Sequence, residues 1–231
     1  MENNKMTAIK IDRFFDAFSA LHDFIVKNIP DRIEGTILAI CYLDSLSNHR
    51  RRSGGNKEKF IKFILEYADK SYYLVSIPLL IEDLKINNRV SNEIIKILKS
   101  EFNISTFEFT KLGTSHDVDI DEFTRRIKYS LPESEEKNIR KIAEKYIYAV
   151  ILWDQYRNNL IHLTKSMNDE AVNMDDSFEP YYSVEIDLNQ SDRKYIRFGI
   201  PPEYIYKTLK SCIDNFRRYC HDSNFNPYKN R

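Results

Sequence analysis

Glycine is scarce in this chain of 231 residues, with only five in all. That argues against a glycine-rich phosphate loop and against a sheet-heavy fold. Cysteine is scarcer still. Cys41, Cys212 and Cys220 are an odd set without CxxC spacing, which reads as reduced cytosolic thiols and not as a zinc site. Cys212 and Cys220 fall in one helical segment, too far apart along its axis to form a disulfide. No stretch approaches the roughly 20 apolar residues of a membrane span, and MENNKMTAIKIDRFF has no signal-peptide core. The expectation is a cytoplasmic protein with no membrane partner. An excess of either charge is also missing. Lysine and arginine number 35 and so do aspartate and glutamate, so no global field draws the chain to a polyanion and any such site must be local. A two-metal nuclease needs an acidic cluster. Asp175-Asp176 and Asp117, Asp119 and Asp121 lie in polar stretches that read as solvated loops, so neither a metal nor another cofactor is expected.

What is present is carbon and charge at helical spacing. Aromatics make up 13% of the chain and charged residues 30%, a composition that builds a core. Apolar stripes predict helices over 11–29, ended by Pro30, and from a cap at Asp31 to about His49. Further helices are expected over 57–69 with Asn56 as cap, in the LLIEDLKI stretch after Pro78, over 92–102 with Ser91 as cap, and around 119–129. A short extended piece is expected at 106–109, and 165–179 reads as an acidic loop. YYSVEIDL and KYIRFGI alternate on either side of NQSDR, which predicts a β-hairpin over about 181–200. Pro201-Pro202 then opens a last helix to about His221. The expected architecture is a single all-α domain, 1–231, with a small β-hairpin before the C-terminal helix.

The stretch that carries chemistry is 136–166, EKNIRKIAEKYIYAVILWDQYRNNLIHLTKS. It contains no glycine or proline, and Ser134 is placed to cap it. Ile139, Ile142, Ala143, Tyr146, Val150, Trp153, Leu160 and Ile161 make one stripe, which predicts one long helix. Arg157 interrupts the stripe. A guanidinium on a buried face needs a partner, and Asp154, three residues earlier, can reach it. Asn158 and His162 complete a polar group where the helix should bury carbon. Two readings stand side by side: a chemical or binding site, or an interface arginine pinned by Asp154 with an ordinary helix histidine. Asp44 has two readings as well, since it falls between apolar positions of the second helix yet lies near that helix's end. The run His49-Arg50-Arg51-Arg52 before Gly54-Gly55 reads as a basic helix end suited to the dipole. It is also the best local candidate for a phosphate contact.

Arg157-Asn158-Asn159-Leu160-Ile161-His162 resembles the Arg-x4-His signature of the HEPN superfamily, carried late in a long helix of an all-α bundle. LDSLSNHRRR…NKEKFIKFILEY resembles the opening helices of some bacterial HEPN-like proteins. The resemblance covers mainly 37–67 and 146–162. It implies a HEPN-like helical bundle acting as a metal-independent endoribonuclease in a toxin or antiviral-defence role. Arg157 and His162 would be the catalytic pair and Asn158 an accessory. Arg50, Arg51 and Arg52 of the basic run, with Asp44 before them, are the residues this sequence itself offers for substrate binding. The implied partners are a second copy of the chain in a homodimer with a shared site, an RNA substrate, and an antitoxin or defence partner protein. Other members are inactive scaffolds, so a non-catalytic dimerisation or binding module is the alternative. Toxins of this family that a partner nucleotidyltransferase silences carry tyrosine two residues after the histidine. Thr164 stands there instead, which puts such modification in doubt.

Overall fold

In the computed structural model, residues 2–30, 33–51, 53–104, 111–157, 178–186 and 194–230 are described. The elements in order are helices α1 (Glu2–Asn28), α2 (Ile33–Arg50) and α3 (Asn56–Tyr67), a 3-10 turn (Lys70–Tyr73), β1 (Leu74–Val75), α4 (Ile77–Ile86) and α5 (Asn92–Glu101). They continue with β2 (Lys111–Leu112), β3 (Val118–Asp119), α6 (Ile120–Ile127), α7 (Glu133–Ala143), a 3-10 turn (Glu144–Tyr146), α8 (Tyr148–Ile151) and a π-helical stretch (Leu152–Arg157). Strands β4 (Tyr181–Ile186) and β5 (Lys194–Gly199) follow, then α9 (Pro202–Asp222) and a 3-10 turn (Pro227–Asn230). The protein is mostly helical, with two small antiparallel sheets among the described residues, β1-β3 and β2-β4-β5. No helix among the described residues is long and apolar enough to cross a membrane.

The chain divides into two units. The first comprises 1–72, 152–178 and 201–231; the second comprises 73–151 and 179–200. In the first, α1, α2, α3 and α9 bury Phe15, Ile40, Leu43, Phe63 and Ile213 with no exposure. Phe216 of α9 is the hub, with ring centroids 5.3 Å from Phe15, 5.5 Å from Phe63 and 5.1 Å from Tyr67. Edge-on and tilted aromatic packing of this kind holds neighbouring helices in one register. Gly35 lies where α2 passes the end of α1. A Cβ there would meet the Ile29 carbonyl oxygen at 2.5 Å and the Tyr206 hydroxyl at 2.6 Å, so the crossing requires glycine.

The second unit packs α4, α5, α6 and α7 around Leu80, Leu84, Leu98, Phe102, Phe123 and Ile139. Ser91 caps α5 by accepting from the Ile94 amide, and Asp119 caps α6 by accepting from Asp121 and Glu122. The expected hairpin is present as β4 and β5, paired from Tyr181↔Gly199 to Ile186↔Lys194, with β2 on its other side. The extended piece expected at 106–109 lies outside the described residues.

The one long helix expected over 136–166 is not formed. The chain leaves the helix at Glu144–Tyr146, and Ile147 is extended (φ −65°, ψ 136°). Ile147 forms a bridge with Val75, while the Ser76 amide donates to the Tyr146 carbonyl at 2.8 Å. The Ile147 carbonyl then accepts from Val150 and Ile151 and starts α8. A short strand segment wins over helix continuation because both backbone groups find partners there. Two caps also differ from expectation. Gly55, not Asn56, is the cap of α3 and makes no side-chain cap bond. Pro132, not Ser134, precedes α7, whose first turn carries Glu133, Glu135 and Glu136 where the dipole favours them.

Candidate functional site

The first unit positions Arg157 at the end of the π-helical stretch. Leu152, Trp153 and Tyr156 anchor that stretch by burial, and the Trp153 ring packs 5.2 Å from Phe60 of α3. Arg157 stands one turn past Trp153 and its guanidinium lies 4.4 Å over the indole. Its Nη2 donates to Asp44 Oδ2 at 3.1 Å, and the two side chains are only 15% and 18% exposed. An ion pair this sheltered sits where losing either partner strands the other's charge. π-helical turns inside helices often mark functional positions, because they re-aim one side chain out of the regular stripe.

Among the described residues, the carboxylate ion-paired with Arg157 is therefore Asp44, not Asp154. Asp154 turns instead to Lys57 in the first turn of α3, whose Nζ lies 2.7 and 2.6 Å from its two carboxylate oxygens. The local i−3 option loses to a carboxylate brought from α2 because Arg157 faces inward and Asp154 is 44% exposed. Of the two readings of Asp44, the inward one holds. Cys41 is one turn before Asp44 on the same helix. Burial first, and then the Asp44 charge, push its thiol up against the opposing pull of Arg157, and this favours the protonated form. Asn158 and His162 lie outside the described residues, as does Arg52.

Arg50 and Arg51 are at the far end of α2, about 9 Å along the helix axis from Asp44 at a rise of about 1.5 Å per residue. Arg50 is deeply engaged. Its guanidinium lies 4.4 Å over Tyr219, its Nε donates to the Tyr67 hydroxyl at 2.7 Å, and its Nη2 donates to Glu66 at 2.8 Å. Arg51 donates to the other oxygen of Glu66, also at 2.8 Å. One carboxylate thus serves two guanidinium groups. These two arginines border a cleft of about 350 Å³ at the start of α3.

The second unit holds a polar group that the sequence reading missed. Asp117, read as a solvated loop residue, is 8% exposed. Its Oδ1 accepts from the Ile77 amide at 3.0 Å. Its Oδ2 accepts from the Tyr182 hydroxyl at 2.5 Å and from the Tyr148 hydroxyl. Tyr182 Oη also lies 2.8 Å from Ser76 Oγ. Burial raises the Asp117 carboxyl to about 6, against the donors that favour its charged form. Both phenols are pushed up by the same burial and by the Asp117 charge, so they stay protonated donors. His116, beside it, donates through Nδ1 to the Phe102 carbonyl at 3.0 Å and is a structural tie. No spacing rule could have found this group, since its members come from four separate stretches of the chain, around 76–77, 117, 148 and 182. Among the described residues, no cluster of His, Cys, Asp and Glu could hold a metal ion.

Comparison with protein-family models, with curated proteins and with solved structures yields no match.

Proposed function

We propose that the protein is a metal-independent endoribonuclease of HEPN type, acting in a toxin or antiviral-defence setting in the cytoplasm. One observation carries the proposal: an arginine held at the end of a π-helical turn by Asp44 and Trp153, at the head of the Arg-x4-His segment. The chemistry those residue types perform needs no metal. The RNA 2′-hydroxyl attacks the adjacent phosphorus, and His162 takes its proton, as an imidazole titrating near neutrality can. The bond from phosphorus to the 5′-oxygen of the next nucleotide breaks, that oxygen takes a proton from solvent water and leaves as a 5′-hydroxyl, and a 2′,3′-cyclic phosphate remains. Arg157 offers a fixed, permanently charged fork to the crowded phosphorane oxygens. Asn158 orients the imidazole or a phosphate oxygen. Asp44 is a positioning residue, since it fixes the direction of the guanidinium.

One Arg/His pair makes a poor site alone, so the proposal includes a homodimer that brings two signature segments together, an RNA substrate, and an antitoxin or defence partner protein. A second reading has its own support. An arginine already ion-paired to Asp44 is what a structural interface cation makes, and this favours a non-catalytic dimerisation or binding module.

Arg157→Ala and His162→Ala separate the two. Each should abolish RNA cleavage while the far-UV circular dichroism stays unchanged. Light scattering should give about twice the 27.5 kDa chain mass. A wild-type protein that cleaves no RNA, with both variants keeping the dimer, makes the chain a binding module.

A further inference from the structure

We infer that the cleft between the end of α2 and the start of α3 is a binding site for phosphate groups. The cleft encloses about 350 Å³ and is bordered by Arg50, Arg51, Ser53, Gly54, Lys59 and Lys62. Charge is unevenly met there. Among the described residues, Arg50 and Arg51 share the single carboxylate of Glu66, and Lys62 is paired with Glu58 at 2.5 Å. Lys59 has no ion pair among the described residues, and the Arg51 Nε is buried with no hydrogen-bond partner among them.

The backbone agrees with the side chains. Gly55 caps α3 with no side-chain cap bond, so this residue leaves the first amides of a 12-residue helix open to an outside acceptor. Gly54 has φ 101°, in the left-handed region, and a Cβ on Gly55 would meet nothing within 4 Å. The turn therefore leaves room for a ligand to approach the main chain. The Glu58 carboxylate now stands over this turn: its Oε2 would lie 3.1 Å from a Cβ on Gly54. It is 56% exposed, and among the described residues it is ion-paired with Lys62 and lies in the field of Arg51, an exposed arrangement from which it can swing out when an anion enters. A resident carboxylate over a basic cleft holds the position of a competing anion.

The ligand chemistry is a phosphate oxyanion, presented either by a free polyphosphate or by a nucleic-acid backbone. This inference does not depend on cleavage, because a chain without nuclease activity would bind phosphate here equally well. The test uses the full chain in EDTA with two probes, inorganic pyrophosphate and a labelled single-stranded oligodeoxynucleotide. The deoxy probe carries the backbone charge but cannot undergo 2′-hydroxyl attack, so its binding is read apart from the nuclease reading. Lys59→Gln, which breaks no ion pair among the described residues, should weaken binding about tenfold. It should also lower the salt slope for the oligonucleotide by about 0.7, the value of one phosphate contact on a single strand. Arg51→Gln should weaken binding as well. Glu58→Gln should tighten it several-fold, whereas Lys210→Gln, a distant surface change on α9, should leave it unaltered. Binding of pyrophosphate alone assigns the site to free phosphates; binding of the oligonucleotide alone assigns it to a backbone. The inference is overturned if neither probe binds. It is equally overturned if Lys59→Gln and Lys210→Gln act alike, or if Glu58→Gln fails to tighten binding.

Discussion

Replacing Asp117 by asparagine should remove a pH dependence from the stability of the second unit. The carboxyl is raised from its ordinary value of 3.8 to about 6 by burial. The folded state therefore holds the proton more tightly than the unfolded chain does. The stability this confers is fully present below about pH 3.8 and is lost as pH rises through about 6. A shift of about two units, at about 1.36 kcal/mol each, makes that contribution roughly 3 kcal/mol. Other carboxylates act in the opposite sense. Asp12 is held below its usual range by Arg217, Asp69 by the Ser71 amide and Glu122 by Arg126, and what they contribute is lost as pH falls. Raw stability at two pH values therefore mixes both signs, and the difference between wild type and Asp117→Asn isolates the one group. The assay is urea unfolding from pH 4 to pH 7.5, followed by far-UV circular dichroism and by hydrogen exchange of the amides of α4 and α6. Relative to the variant, wild type should be roughly 2 kcal/mol more stable at pH 4 than at pH 7, since at pH 4 the unfolded carboxyl is already partly ionised. A difference that stays flat across this range would refute the reasoning. It would mean that the Ile77 amide and the two tyrosine hydroxyls outweigh burial and keep the carboxylate charged.

Three further outcomes follow from packing and charge. Asp44→Ala should cost about 1–3 kcal/mol by stranding a sheltered cation, while Asp154→Ala, which breaks an exposed pair with Lys57, should cost less than about 1 kcal/mol. Thermal melts that rank the two the other way would return Arg157 to its local partner. Gly199→Ala should cost about 1–3 kcal/mol, because the new Cβ would lie 2.5 Å from the Tyr181 ring across the β4–β5 pair. An unchanged melting temperature would contradict that register. Arg50→Gln should destabilise the first unit by removing both the Glu66 pair and the stack on Tyr219; a neutral result would show the arginine to be a surface residue.

The parts of this fold that were legible in the sequence are those whose signal is local. The stripes of α2, α3 and α9, the Ser91 cap, Pro202 in the first turn of α9 and the alternation of β4 and β5 all act within a few residues. What was not legible depends on partners distant along the chain. Ile147 has no glycine or proline beside it, yet it breaks the helix because Val75 and Ser76 offer its neighbourhood strand-like bonds. Arg157 announced itself as an intruder in an apolar stripe, but its nearest carboxylate in sequence was the wrong one. Asp117 sat among polar residues that looked solvated and gave no sign of Tyr148 or Tyr182. Asn158 and His162 were named from the segment Arg157-Asn158-Asn159-Leu160-Ile161-His162 alone, and they stay with the proposal.

The proposal rests on whether this segment cleaves RNA through its own 2′-hydroxyl. The measurement that tests this most directly is the end-group of the product. A defined single-stranded RNA is incubated with the wild-type protein in EDTA, and the fragments are weighed by mass spectrometry. The account predicts fragments ending in a 2′,3′-cyclic phosphate or its opened form, paired with fragments beginning in a 5′-hydroxyl, and none with His162→Ala. Fragments carrying a 3′-hydroxyl and a 5′-phosphate, or cleavage that EDTA stops, would contradict it.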